Sequence, residues 1–235
     1  MMRVKKILCL WMTLAVCLTA HVALAQSSLI VREETYTAVE LFTDTFYGYV
    51  FAELENTGDT DAYFDKATLT IADGTGKTLS EKTAFTCYPN VIAPGERAYL
   101  FAYSAVEGVK STEEIAAHQL AVESSESIEE LPVVLTVTET VYAQEADLFG
   151  EPVYKIYVTV KNETDEAVFT PSVALGIYDT AGKLLYVDAM TQFEMGVPAG
   201  QSFIMTFTID DAFKAAWDAQ GVSPERVEAI AMVQY

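Results

Sequence analysis

The chain is short of cysteine, histidine and cationic side chains. Its 235 residues hold three cysteines, two histidines and 14 Lys+Arg against 34 Asp+Glu. Two of the cysteines, Cys9 and Cys17, and one histidine, His21, lie in an N-terminal leader. If the leader is removed, only Cys87 and His118 remain. One thiol cannot form an intrachain disulfide. One His and one Cys exclude multi-histidine zinc sites and leave little from which to build a His-based triad. No glycine-rich phosphate loop and no zinc-protease helix motif is present. The scarcity of cations repels phosphate backbones, so nucleic acid and anionic lipid surfaces are not expected partners.

Long apolar runs are also missing, apart from one at the start. Arg3, Lys5 and Lys6 precede an apolar stretch from Ile7 to Ala20, and Ala23-Leu24-Ala25 offers a small-x-small cleavage pattern before Gln26. Those 14 residues fall short of the roughly 20 that a bilayer-spanning helix needs. We therefore expect a cleaved signal peptide at 1–25 and an extracellular or cell-envelope location. An uncleaved anchor is the alternative, and it would give the only membrane contact. Lipidation at Cys17 is disfavoured by Val16, where a small residue is needed. The remaining ~210 residues carry 11 basic against 34 acidic side chains. More than half of the chain is apolar, which argues for a packed core and against disorder.

What the sequence does contain is a repeat. Leu69-Thr70-Ile71-Ala72-Asp73-Gly74-Thr75-Gly76-Lys77 returns as Leu175-Gly176-Ile177-Tyr178-Asp179-Thr180-Ala181-Gly182-Lys183, 106 positions later. At the same offset Glu33 and Tyr36 fall on Glu139 and Tyr142, and Asn56 falls on Asn162. Around these positions run short β-branched and aromatic segments, broken by turn signals about every ten residues. That is the pattern of an all-β sandwich or barrel. Gly48, Val50, Ala52 and Leu54 alternate on one face of a core strand, matched by Tyr154, Ile156, Val158 and Val160. In Asp210–Gln220 the copies diverge: Phe213, Ala216 and Trp217 are helix-spaced, Asp210 or Asp211 can cap, and Gly221 can stop the helix. It is expected over one end of the second sandwich.

Each copy resembles the FxLYD domain of bacterial exported and surface proteins. The resemblance rests on the Asn turn, on Leu175-Gly176-Ile177-Tyr178-Asp179 followed by Gly182 and Lys183, and on the Pro-Gly turn near Pro94-Gly95. Copy one lacks the tyrosine, having Ala72. The resemblance implies an immunoglobulin-like sandwich acting as an interaction or spacer module at a bacterial envelope, and no catalytic residues. The expected architecture is all-β, two tandem immunoglobulin-like antiparallel β-sandwiches at 26–123 and 131–235. A linker at 124–130 joins them, and the second carries a short extra helix.

We expect no enzymatic activity and no cofactor, with an unknown envelope protein or glycan as partner. Cys87 reads as a buried small hydrophobe opposite Phe193 of the second copy, and His118 as a half-buried strand residue. Asp59, Asp61, Asp65 and Asp73 cluster around two turns and are weak calcium candidates. In the repeat only Asp59 and Asp73 recur, as Asp165 and Asp179, which fits turn residues better. A calcium- or carbohydrate-binding module is the first competing reading, and a small carboxylate-dependent hydrolase the second. The hydrolase would need paired carboxylates in a cleft, which a sandwich of about 100 residues rarely offers. The most distinctive feature is aromatic: Tyr47, Tyr49 and Phe51 stand on the outer face of the strand whose inner face is Gly48 to Leu54. Such a patch either binds a partner or is covered by a neighbouring part of the chain.

Overall fold

The computed structural model describes residues 28–146 and 148–233. The signal peptide expected at 1–25, with Cys9, Cys17 and His21, lies outside them. Among the described residues no helix is long and apolar enough to cross a membrane. The fold is all-β apart from one α-helix and a single 3-10 turn at Thr112–Glu114.

The first sandwich contains β1 (Leu29–Phe42), β2 (Thr45–Asn56), β3 (Ala62–Ala72), β4 (Thr78–Thr83), β5 (Cys87–Tyr88), β6 (Val91–Ile92), β7 (Arg97–Val106) and β8 (Ala117–Glu126). One sheet has the order β1-β2-β7-β5. The facing sheet is centred on β3, with β4 and β6 on one edge and β8 on the other. The second contains β9 (Val133–Ala146), β10 (Pro152–Lys161), β11 (Val168–Phe169), β12 (Ser172–Asp179), β13 (Leu184–Thr191), β14 (Gly196–Val197), β15 (Ser202–Ile209) and β16 (Pro224–Val233). Its sheets are β9-β10-β15 and β13-β12-β16. They join into one path because Val133–Leu135 of β9 pair with β16 before the strand crosses to β10. Every ladder is antiparallel, and each links strands of the same sandwich. Strand β8 runs to Glu126 and β9 starts at Val133, so residues 127–132 connect the two.

Alternation explains most of this. Val50, Ala52 and Leu54 of β2 are sealed from solvent, as are Ile156, Val158 and Val160 of β10. Asn56 and Asn162 close these strands and are fully buried. Asn56 donates from Nδ2 to the Thr60 and Ile92 carbonyls at 2.8 Å each and accepts from the Gly58 amide at 3.0 Å. Asn162 repeats the set with Glu166 (2.8 Å), Val197 (2.9 Å) and Thr164 (3.0 Å). A buried amide that satisfies three backbone groups fixes where the chain may turn.

The repeated hairpin is built the same way twice. Asp73 accepts from the Thr75 and Lys77 amides at 2.8 and 3.0 Å, and Asp179 from those of Ala181 and Lys183 at 2.8 Å each. Gly76 and Gly182 sit at φ 84° and 81°, left-handed geometry in which a Cβ would be strained.

The strand that returns from the first of these hairpins is interrupted between Thr78 and Tyr88. β4 stops at Thr83, and β5 then pairs with β7 in the opposite sheet. The switch passes through Ala84 at φ 78°, where an L-residue pays a steric cost that glycine avoids. Ala84 is exposed, so Ala84→Gly should raise stability by about 0.5–1 kcal/mol in urea unfolding; unchanged or lower stability would show that the turn is not strained.

Candidate functional site: the seam between the sandwiches

The aromatic face of β2 is covered by the second sandwich. Phe51 is 1% exposed; Tyr49 and Tyr47 are half-buried. The helix α1 (Asp211–Gln220) accounts for much of the cover. Asp210 caps it by accepting from the Ala212 amide at 2.8 Å, and it ends at Gly221. Its Phe213 packs edge-on against Tyr49, with ring centres 4.9 Å apart, and 5.5 Å from Phe51. Tyr186 of β13 lies 4.8 Å from Phe51 and 6.1 Å from Trp217. The helix therefore does not merely lie over one end of the second sandwich: it fastens that sandwich to the first. The core of the second sandwich continues through the seam and takes in Val39, Phe51 and Tyr99 of the first.

Beyond Phe51 the same face of β2 and β7 carries Glu53 and Tyr99, both only 3% exposed. The Tyr99 hydroxyl lies 3.1 Å from that of Tyr178, which also donates to Glu53. Arg32 and Arg97 approach the same carboxylate at 3.5 and 3.3 Å from the solvent side. A carboxylate withdrawn from water needs such compensation: two guanidinium groups and a hydroxyl offset its lost hydration. Burial first, then the neighbouring Tyr99, pushes the Tyr178 hydroxyl far above its ordinary range, so it remains a donor to Glu53. Burial likewise raises Tyr99 to about 12.

The partner surface is strand β12. At Gly176 a Cβ would stand 2.6 Å from Tyr99 Cε1 and 3.0 Å from its Cζ, so the ring occupies the space that any other residue would fill. Two places further on, Tyr178 supplies the hydroxyl. These are the outward positions of the repeated Leu-x-Ile-x-Asp segment, where the first copy has Thr70 and Ala72. Along the flank, the Leu184 amide donates to Glu33 Oε1 at 2.7 Å and the Thr35 hydroxyl donates to the Leu184 carbonyl.

Asp188 of β13 adds a titratable element to the seam. It accepts from the Ala189 amide at 2.8 Å and lies 3.4 Å from the Tyr186 hydroxyl. Burial dominates these contacts and raises its carboxyl to about 6. With its folded pKa above the unfolded value, ionisation opposes folding. The penalty is absent below about pH 4, grows towards pH 6 and is complete above it. Asp188→Asn keeps the acceptor, so it should stabilise the protein by about 1–2 kcal/mol at pH 7.5 and by almost nothing at pH 4. Urea midpoints of both proteins at the two pH values test this; an equal gain at both would rule out titration as the cause.

The other candidate residues are part of the fold. Asp73 is held below the usual carboxylate range by the Thr75 hydroxyl first and by the loop amides next. Asp65 accepts from the Ser125 hydroxyl at 2.9 Å, and the Asp61 carbonyl accepts from the Ser127 amide at 2.8 Å. Among the described residues no three His, Cys, Asp or Glu side chains converge as a metal site would need, so Asp59, Asp61, Asp65 and Asp73 are not brought together as one. Cys87 is fully buried, and desolvation pushes its thiol well above the usual range. Its proposed counterpart Phe193 is 79% exposed, and among the described residues the second sandwich has no strand at that position to match β5. His118, half-buried on β8, stacks on Tyr36 at 4.5 Å and lies 3.2 Å from Glu34.

One feature was not foreseen from the sequence. A groove of ≈ 970 Å³ runs beside the seam, walled by Pro89, Val91–Ala93 and Gly95–Arg97 on one side and by parts of β9 and β16 on the other. Residues of both sandwiches line it.

No protein-family model matches the chain, and no curated protein matches it. Among solved structures it is similar to a β-glucuronidase of Bacteroides uniformis, at 11% identity and a TM-score of 0.20, over 85% of this chain and 28% of that one. It is also similar to the N-terminal CBM22-1–CBM22-2 tandem domain of Paenibacillus barcinonensis Xyn10C, at 8% identity and a TM-score of 0.15, over 91% and 92% of the respective chains. The chain thus spans under a third of the glucuronidase's length.

Proposed function

We propose that this chain is a non-catalytic, exported module of two FxLYD-type sandwiches held in one fixed orientation, which spaces or presents a binding surface at a bacterial envelope. The observation that supports this reading is the seam. The outward aromatics of β2 and β7 and the outward positions of β12 are occupied by each other, with a buried carboxylate held between two arginines at the edge. Linked domains move relative to one another by default unless their interface is large and apolar. A continuous core with buried Phe51, Tyr99, Phe213 and Trp217 meets that condition.

Small-angle scattering and ¹⁵N relaxation on residues 26–235 test the reading. One rigid particle with a single tumbling time is expected; two independently tumbling halves would refute a fixed module. Export is tested separately, by producing the full chain and determining the N-terminus of the released protein. Release starting at Gln26 is expected, and retention of an intact leader inside the cell would count against an exported role.

A further inference from the structure

We propose that the groove beside the seam seats an extended, basic and partly apolar peptide segment of a partner protein. The proposal rests on reading the chain as a binding module and names the chemistry of what it binds. Both sandwiches build the groove: Pro89 and Val91 face it from the first, Val134 and Ile230 from the second, and Leu131 from the connection. Val134 is 70% exposed and Leu131 43%, an unusual degree of exposure for branched side chains beside an otherwise buried junction. They give the groove an apolar floor.

The charges on its walls decide the occupant. Arg97 is the only cation among the lining residues, and it is already held by Glu53 at 3.3 Å and Glu228 at 4.0 Å. Glu228 is held in addition by Arg226. Glu96 on one wall and Glu139 on the other are exposed and form no ion pair among the described residues. The unanswered charge of the groove is therefore negative, on a chain whose net charge is −20. A segment with Lys or Arg flanked by apolar residues meets both requirements, whereas an anionic ligand fails on charge and a purely polar one leaves the apolar floor uncovered. A strand-like segment also suits the neighbouring backbone. On the side away from β12, β16 has ladder partners only from Ala231 to Val233, while Val227 to Ile230 line the groove.

The test is a ¹⁵N NMR titration of residues 26–235 with the peptide acetyl-Leu-Lys-Val-Lys-Leu-amide. Its acidic counterpart, with Glu in place of Lys, is run beside it. Shift changes are expected to cluster at Glu96, Arg97, Val134, Glu139 and Ile230 with the basic peptide only. The double variant Glu96→Gln/Glu139→Gln should weaken binding about tenfold without changing the melting temperature. Equal binding of the acidic peptide, equal binding by the double variant, or shifts scattered away from the groove would overturn the proposal. So would concentration-dependent shifts at these residues without peptide, which would make a second copy of the chain the occupant. A null titration on a protein that scatters as one rigid particle removes the groove proposal alone; a flexible particle removes the module reading beneath it.

Discussion

Gly176→Leu should part the two sandwiches while leaving each folded. The Cβ alone would sit 2.6 Å from a ring carbon of Tyr99, and a leucine extends further into the same space. Tyr99 cannot turn aside cheaply: it is 3% exposed, its hydroxyl is 3.1 Å from that of Tyr178, and its strand neighbour Leu100 is fixed in the core beneath. Displacing it also exposes Glu53 and Phe51. At roughly 1.5–3 kcal/mol for each large apolar side chain returned to water, the loss is about 3–5 kcal/mol of coupling. The inward neighbours Leu175 and Ile177 are untouched, so the second sandwich keeps its own core. Trp217 reports the result directly. It is 2% exposed, and the only other tryptophan of the sequence, Trp11, precedes residues 26–235. A red-shifted emission and a larger radius of gyration with unchanged far-UV circular dichroism are expected. Wild-type emission and dimensions would mean that the seam does not depend on the close approach of Tyr99 to β12.

The same glycine shows where sequence reading reached and where it stopped. Leu69, Ile71, Asp73 and Gly76, with their partners 106 residues on, were legible because they are what a hairpin with one buried face requires, and each does that work within a few residues. The capping and stop of α1 were legible for the same local reason. Gly176 and Tyr178 lie between those positions, on the outward face, where the two copies differ. A difference between copies carries no local signal, since its meaning lies in a surface more than 70 residues away. Tyr47, Tyr49 and Phe51 did announce themselves as an apolar face in need of cover, but nothing in their spacing says that Phe213 and Tyr186 supply it. Alternation can show that a face is apolar, not what it rests on. The groove is further out of reach, because its walls belong to different sandwiches and meet only once the seam has formed.

Asn162→Ala tests whether that seam makes the two sandwiches fold as one. The substitution removes the donors to the Glu166 and Val197 carbonyls and the acceptor for the Thr164 amide, and a buried backbone group left unpaired costs about 1–3 kcal/mol. With some relaxation and water entry, a loss of about 4 kcal/mol is expected, large against the 5–15 kcal/mol of an ordinary domain. Asn56→Ala removes the matching contacts at Thr60, Ile92 and Gly58 and should cost a similar amount. If the sandwiches unfolded independently in urea, either variant would split unfolding into two steps and lower only one. The continuous core through Phe51, Tyr99 and Phe213 leads to the opposite expectation. Losing one sandwich would strip the cover from the aromatic face of the other, so both variants should lower a single transition followed by circular dichroism and by Trp217 emission alike. Two separated transitions in Asn56→Ala, with Trp217 reporting the later one, would show that the second sandwich resists urea just as well once the first has unfolded. The seam would then be a contact between finished domains rather than part of one folding unit.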